Sequence, residues 1–408
     1  MIKKVIVDKS DRLQKVSPPS LLEGERIKRR LEKKDVEIID LGHFNPDMEI
    51  ESFSLPSSLA KEEISSAVLI KKEEDLKKDI AAWFESKYQI KLNPLNEILV
   101  VSGKNEAISG LALSFLNPGE LSIIPDPSDP IYRNAAIMAG GEFEIIPLLE
   151  RNDYLPNLST LSDKTLNQAQ LLFLNYPHNP TSAIADFQFF KEVVEKAGKY
   201  NILVINDASF DQICYDESTP LSLLQIKDAR KIGLEFHYFP CTYHVPGVRI
   251  GFLAGNKEIL SALKTEQEIF TSGISSFSLE IAKRYIKDYL GISEEINFEF
   301  LVRRDFIVEH LNQINWKARK PKASPFVWVK VPFKYSSLGF ARMLLRKVGI
   351  LVLSGTEFGE NGEGWIRLAL NCPVSQLKEA VERIKKHSHL WQRSYRPKRR
   401  KYGNHQTA

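Results

Sequence analysis

The sequence predicts an α/β protein: a large domain on a mostly parallel sheet with helices on both faces, then a smaller α+β domain. Three observations predict it. Between about residues 95 and 255, short apolar runs alternate with amphipathic segments, the pattern of strands and crossover helices. After about residue 256 the chain turns to long helical segments with a few short strands. At 408 residues it exceeds one ordinary core and fits one large and one small domain.

The elements follow in order. Residues 1–35 are polar and charged, an arm with one helix near 19–31. Residues 36–42 form a short strand running into a turn at Asn45-Pro46-Asp47. Leu76, Ile80, Trp83 and Phe84 recur at helical spacing and predict a helix over 75–88. A strand at 98–101 turns at Gly103 into a helix over 105–115, which Asn117-Pro118-Gly119 ends. A strand at 121–124 precedes a helix near 131–138, stopped by Gly140-Gly141. Strands at 144–148, 171–175, 202–206, 234–239 and 249–254 follow, with a helix at 187–200 between two of them. Long helices are predicted over 257–270, 277–290 and 293–314. A strand at 326–329, a helix at 338–347, strands near 350–353 and 365–370, and a helix near 374–386 complete the chain. There is no internal repeat.

Apolar content of 43% and charged content of 26% are those of a soluble globular protein. No apolar run reaches the ~18–20 residues that cross a bilayer. The opening Met-Ile-Lys-Lys-Val-Ile-Val-Asp has an acid by residue 8 and no cleavage-like site, so no signal peptide is expected. Cys214, Cys241 and Cys372 are odd in number and far apart, which predicts a reducing, cytoplasmic setting. The net charge of +4 comes from the end of the chain. Residues 388–408 hold Arg393, Arg396, Lys398, Arg399, Arg400 and Lys401 and no acid. Of 56 basic residues, 50 remain against 52 acidic ones, so the body carries −2 and lacks the basic bias of a nucleic-acid enzyme. The tail reads as a frayed, solvated terminus and is the one hint of an anionic partner.

Residues 237–251 place Gly247, Arg249 and Gly251 behind Cys241. This stretch resembles the segment carrying the Schiff-base lysine in class I/II aminotransferases of the pyridoxal-phosphate fold type I, roughly Ser-x-Ser-Lys-x-x-x-x-x-Gly-x-Arg-x-Gly. Gly103-Lys104-Asn105-Glu106-Ala107 resembles the family's Gly-Ser-Lys-Glu-Gly phosphate turn. Asn117-Pro118-Gly119 and Pro125-Asp126-Pro127 resemble its next strand and turn elements. Asn175-Tyr176-Pro177-His178-Asn179-Pro180-Thr181 resembles its Asn-Tyr-Pro-x-Asn-Pro-Thr-Gly signature. Asn206-Asp207-Ala208 resembles the strand end with its acid, and Phe358-Gly359 through Arg367 its substrate-arginine region. The likeness runs from about residue 12 to 387 and is nearest to the diaminopimelate, aspartate and alanine aminotransferase branch.

The resemblance implies fold type I, with an arm and part of the small domain in 1–45, the large domain in 46–290, the C-terminal small domain in 291–387 and a basic tail in 388–408. Both chain ends would then build the small domain. It implies pyridoxal 5'-phosphate as cofactor, a homodimer with shared active sites, and a small amino-acid or carboxylate ligand. Gly103 and Lys104 would receive the cofactor phosphate at a helix start. Asp207 would face the pyridine nitrogen and favour its protonated form. Asn179 would bond the ring hydroxyl, Arg249 would reach the phosphate, and Arg367 would grip a substrate carboxylate with its planar fork.

Five features of the pattern are broken, at six residues. Cys241 stands at the lysine position, and a thiol cannot form the covalent link to the cofactor. The lysine is also the family's general base, and losing a positioned base costs about 10²–10⁴ in rate. Asp129 replaces an aromatic that stacks on the ring, and Phe210 replaces a tyrosine that contacts the ring oxygen. Ile70 falls where a partner-subunit tyrosine would reach the phosphate. Tyr238 and Pro240 replace the phosphate-binding serines, and Pro240 also removes a backbone N–H. Other roles for these residues stay open. Cys241 would act as a nucleophile only beside a base or cation, and His237, His244 and Arg249 are the candidates. Cys241 with His244 makes half a metal site at most, so no metal is expected. Lys104 is the one other lysine in the pocket. The expectation is an aminotransferase-family protein degenerate for transamination that retains an anion pocket. The alternative is an active enzyme holding pyridoxal phosphate non-covalently and acting on an amino acid/2-oxo acid pair.

Overall fold

The computed structural model describes residues 8–16, 21–48, 66–216, 220–242, 244–245, 247–271, 273–332 and 334–392. The first residues of the arm, the start of the helix expected near 19–31, Tyr243, Pro246 and the basic tail beyond Gln392 lie outside them.

The strands are β1 (Ile39–Asp40), β2 (Ile98–Val101), β3 (Leu121–Asp126), β4 (Glu142–Pro147), β5 (Ala169–Asn175), β6 (Leu203–Asp207), β7 (Gly233–Tyr238), β8 (Gly251–Gly255), β9 (Phe326–Lys330), β10 (Ile350–Leu351), β11 (Leu353–Ser354) and β12 (Trp365–Ala369). Strands β2 to β8 form one sheet in the order β2-β8-β7-β6-β5-β3-β4. The pairs β3–β4, β3–β5, β5–β6 and β6–β7 run parallel, and β8 is antiparallel to both its neighbours. The link from β7 to β8 explains the exception. It holds only the helical turn Phe239–Thr242 and a loop, not a crossover helix packed across the sheet.

Helices cover both faces, as the apolar runs of strands such as β2 and β5 require. Helices Lys104–Phe115, Pro130–Ala139 and Lys257–Phe270 pack Leu111, Tyr132 and Leu263 against Phe173, Phe236 and Leu253. On the other face, helix Phe187–Tyr200 packs Phe190, Val193 and Ala197 against Leu172, Leu174 and Val204. That helix starts on an Asp186 cap to the Phe189 N–H and ends on Asn201 in the left-handed region.

A second layer holds an antiparallel sheet, β11-β12-β9, and the parallel pair β1–β10. The register Ile39 with Ile350 joins the two chain ends in this part of the molecule. The long helix Tyr289–Gln313 bridges to it. Arg303 on this helix donates to Asp47 and to the Leu370 carbonyl, and Arg304 donates to Asp216 and the Pro321 carbonyl. Both guanidiniums are buried, so these pairs fix how the helix seats.

Three expectations need correction. The strand expected over 36–42 is only Ile39–Asp40, because these are the two residues that pair in register with β10. The helix expected over 75–88 begins nine residues earlier, at Ser66. The helix expected over 338–347 is α-helical over Ser337–Met343, then widens into a π-helical turn, Leu344–Val348, that ends on Gly349 at φ 74°. A helix at Asp163–Gln168, capped by Ser162, had no apolar periodicity to reveal it. Among the described residues no helix is long and apolar enough to cross a membrane.

Candidate functional site

The site lies where the parallel strands of the large sheet end, the position open α/β sheets use for ligands. β5 ends at Asn175 and β6 at Asp207, side by side in register. The Asn175 side chain ties this corner together. Its Nδ2 donates to the Asp207 carbonyl at 2.6 Å, and its Oδ1 accepts the Asn179 N–H at 2.9 Å.

Asp207 is 1% exposed. Its Oδ2 accepts the Tyr132 hydroxyl at 2.6 Å, and its Oδ1 accepts the Ser209 N–H at 3.0 Å and the Ser209 hydroxyl. These donors hold the carboxylate in one orientation. Tyr132 and Ser209 went unread in the sequence. Tyr132 sits one helical turn past Asp129, and that spacing was the available signal.

Lys104 opens helix Lys104–Phe115, whose N-cap, Gly103, offers no side-chain cap. The first N–H groups of that helix are therefore open, as a phosphate site needs. Yet the Lys104 ammonium does not stand over this turn. It donates to Asp129 Oδ2 and lies 3.7 Å from Asp207 Oδ2. Burial works against its charge, but the carboxylates of Asp129 and Asp207 outweigh that and raise its pKa. The turn itself faces Tyr238, whose ring lies 3.8 Å from where a Gly103 Cβ would stand.

Asp129 serves two elements. Its Oδ1 accepts the Ile131 N–H at 3.1 Å as the N-cap of helix Pro130–Ala139, and its Oδ2 takes Lys104. A carboxylate suits a cap as no aromatic would. It gives the pocket a charge in place of a ring face.

Cys241 lies in the turn Phe239–Thr242, within electrostatic reach of Lys104, Asp207 and Asp129. Burial pushes its thiol up to about 12, and Lys104 only partly offsets this against the two acids. The thiol is thus neutral at pH 7 and a poor nucleophile. The histidines considered for it are engaged elsewhere. His244 accepts the Asp47 N–H at 2.8 Å, and His237 lies between Asp211 and Glu235, at 3.4 and 3.6 Å. Arg249 is exposed, just ahead of β8, and acts on the Tyr238 hydroxyl through its charge.

Arg367 comes from β12, across the cleft from Asp207. It is 5% exposed and lies 4.1 Å from the centre of the Phe326 ring and 4.9 Å from that of Phe358. It donates to Asn179 Oδ1 and to the Gly42 carbonyl, both at 2.7 Å. Its Nε has no partner, and among the described residues no carboxylate pairs with it. Burial lowers its pKa to about 9, with Asp129 and Glu357 offsetting part of the cost. A buried guanidinium without a counter-ion is a site for a carboxylate. Phe210 completes the wall, edge-on to Phe326 with ring centres 5.1 Å apart. Ile70 is 60% exposed on helix Ser66–Tyr88.

These residues fit pyridoxal phosphate in part. Asp207, fixed by Tyr132 and Ser209, fits a ring cation, and the Asn179 amide nitrogen is left for a ring oxygen. Arg367 fits a ligand carboxylate. The covalent anchor does not fit: Cys241 offers no amine, and Lys104 is held as an ammonium by two acids.

Comparison with known proteins agrees with this architecture. Residues 53–384 match the profile of class I and II aminotransferases. The chain is 36% identical over 392 residues to an LL-diaminopimelate aminotransferase of Maridesulfovibrio salexigens, covering 92% of this chain and 98% of the relative. It is 33% identical over 381 residues to the protein of that name in Syntrophobacter fumaroxidans, covering 93% and 98%. Among solved structures, substrate-bound BacF of Bacillus subtilis superposes with a TM-score of 0.87 at 28% identity, over 93% of this chain and 98% of that one. A probable N-succinyldiaminopimelate aminotransferase of Thermus thermophilus superposes with a TM-score of 0.80 at 27% identity, over 90% and 99%. The family's cofactor is pyridoxal 5'-phosphate, and its fold is the one described above. With the strand-end acid, the asparagine corner and the small-domain arginine in one cleft, the chain belongs to the class I and II aminotransferases.

Proposed function

We propose that this chain acts on an amino acid/2-oxo acid pair, with pyridoxal phosphate held by non-covalent contacts alone. One observation carries the reading: the buried Arg367 guanidinium, set by Asn179 and Gly42, has no carboxylate of its own. The relatives support it, since those matched over nearly their whole length share the name LL-diaminopimelate aminotransferase. That name points to a substrate with two amino-acid ends.

Each residue's part follows from its setting. Bound pyridoxal phosphate supplies an electron sink. Asp207 favours a cation in front of it, and Arg367 orients a carboxylate. Neither the Cys241 thiol nor the Lys104 ammonium accepts a proton at neutral pH. Turnover should therefore be about 10²–10⁴ slower than with a positioned base. The test is amino-group transfer from LL-diaminopimelate to 2-oxoglutarate with added pyridoxal phosphate, read alongside borohydride trapping. Slow, cofactor-dependent transfer with no protein-linked adduct is expected. A trapped adduct, or no transfer at any cofactor concentration, would defeat the reading.

A second reading rests on a specific observation: Lys104 and Asp129 already occupy the face of Asp207. On this reading the protein binds a small carboxylate and transfers no amino group. Thermal stabilisation by 2-oxo acids but none by pyridoxal phosphate would select it, because a ligand of the native state must raise its stability.

We also infer a homodimer in a reducing cytoplasm. Ile70, Ile269, Phe270 and Phe277 are exposed at 60, 71, 69 and 44%. Large apolar side chains left in water favour association. The three cysteines are free, which supports the compartment.

A further inference from the structure

We propose that Lys104 is the resident counter-ion of Asp207, standing where a ring cation of the cofactor would stand, so that the pocket is charge-balanced before any ligand enters. The inference rests on the family's cofactor geometry and not on turnover.

The charges around Asp207 carry it. The other groups bonded to this carboxylate, the Tyr132 hydroxyl and the Ser209 hydroxyl and N–H, are neutral. Among the described residues, Lys104, at 3.7 Å, is the one cation within ion-pair distance. A buried carboxylate without a cation is costly. Asp129 explains why Lys104 stays. Fixed as the cap of helix Pro130–Ala139, it holds the ammonium beside Asp207 and away from the open turn at Gly103. The remaining groups near Lys104 do not compete. Cys241 and Tyr238 are neutral at pH 7, and Arg367 is bonded to Asn179 and Gly42.

Two consequences follow. The protein is stable with the site empty. A ligand with a ring cation must first displace the Lys104 ammonium, so such ligands bind weakly.

The experiment uses pyridoxal, which has the ring nitrogen but no phosphate, so any phosphate contact of Lys104 drops out. Thermal unfolding without ligand and equilibrium binding of pyridoxal are measured for the wild type, Lys104→Met and Asp129→Asn. Lys104→Met is expected to lower the ligand-free Tm by several degrees and to bind pyridoxal about tenfold more tightly, since the ligand now supplies the missing cation. Asp129→Asn leaves Lys104 to Asp207 alone and is expected to bind pyridoxal no more tightly than the wild type. The proposal is overturned if Lys104→Met leaves the ligand-free Tm unchanged, if its pyridoxal affinity is unchanged or weaker, or if Asp129→Asn binds as tightly as Lys104→Met. Should Lys104→Met not fold, Lys104→Met/Asp207→Asn is expected to fold and regain most of the lost Tm. A double variant that remains unfolded overturns the proposal.

Discussion

The Arg367 guanidinium donates to Asn179 Oδ1 at 2.7 Å, linking β12 of the small sheet to the loop after β5 of the large one. The bond ties the two sheets together and sets where the guanidinium stands. Arg367→Lys keeps the charge but loses the planar fork. It should weaken 2-oxoglutarate binding by about 1.5–3 kcal/mol, the worth of a charge-assisted hydrogen bond. Asn179→Ala should act in the same direction but less, because the Gly42 carbonyl still holds the guanidinium. Calorimetric titration of both variants checks the order, and equal losses would contradict it.

Cys241→Lys tests the anchor position. The new amine would enter a pocket that already holds the Lys104 ammonium and the acids Asp129 and Asp207. Two cations facing two acids can be balanced there, so the variant should fold. Borohydride reduction in the presence of pyridoxal phosphate should then add one cofactor mass at residue 241. The wild type should show none. Peptide mass spectrometry decides, and an adduct on Lys104 in either protein would contradict the account of a locked ammonium.

The sequence made the scaffold legible because strands such as Ile98–Val101 and Ala169–Asn175 are largely apolar and helices such as Pro130–Ala139 and Phe187–Tyr200 end on a turn residue. Asp207, Asn179 and Arg367 were legible through resemblance alone, since nothing in their local pattern marks a site. Lys104 shows what was not legible. Its partner, Asp129, is 25 residues away, and the two meet only because helices Lys104–Phe115 and Pro130–Ala139, which follow strands far apart in the sheet, pack with their starts together. His244 shows the reverse error. It is three residues from Cys241, yet it sits at φ 54° beyond the turn and accepts a bond from Asp47, 197 residues away. Nearness in sequence suggested a pair that the backbone does not make.

Gly359 should resist substitution. It adopts φ 131°, and a Cβ there would lie 2.1 Å from Asp126 Oδ2. That carboxylate accepts the Glu360 and Asn361 N–H groups at 3.1 and 2.8 Å, a tie between the large sheet and the loop before Arg367. Gly359→Ala should therefore cost roughly 3–5 kcal/mol, combining backbone strain with the lost bonds. Gly364, at φ 87° with nothing within 4 Å of a Cβ, is the control. Its alanine variant should cost roughly 1–2 kcal/mol. Denaturant unfolding of the pair checks the difference.

His237 should make stability fall with rising pH in a defined window. Its ring is stacked on Phe252 with centres 4.8 Å apart and is faced by Asp211 and Glu235, with Trp83 and Phe84 edge-on. Tyr88 and Lys87 also face Asp211, the first donating its hydroxyl at 2.6 Å and the second placing its ammonium 3.8 Å away. Burial opposes the imidazolium, but the two carboxylates outweigh it and raise the pKa to about 9. The folded state therefore holds this proton more tightly than the unfolded chain. The stabilisation is complete below about 6.5 and is lost as pH rises through 9, on the order of 3 kcal/mol in all. Neighbouring titrations leave the window clear. Burial holds the Cys214 and Cys241 thiols up near 12, so they lower stability only above about 9. Asp211, held down to about 2 despite its burial by Lys87 and His237, contributes stability that is lost only as pH falls below the ordinary carboxylate range. Denaturant midpoints at pH 6, 7.5 and 9 should decline in the wild type. In His237→Gln they should start lower, because Asp211 and Glu235 lose the imidazolium between them, and the decline should disappear. An equal slope in the two proteins would show that the proton lies elsewhere.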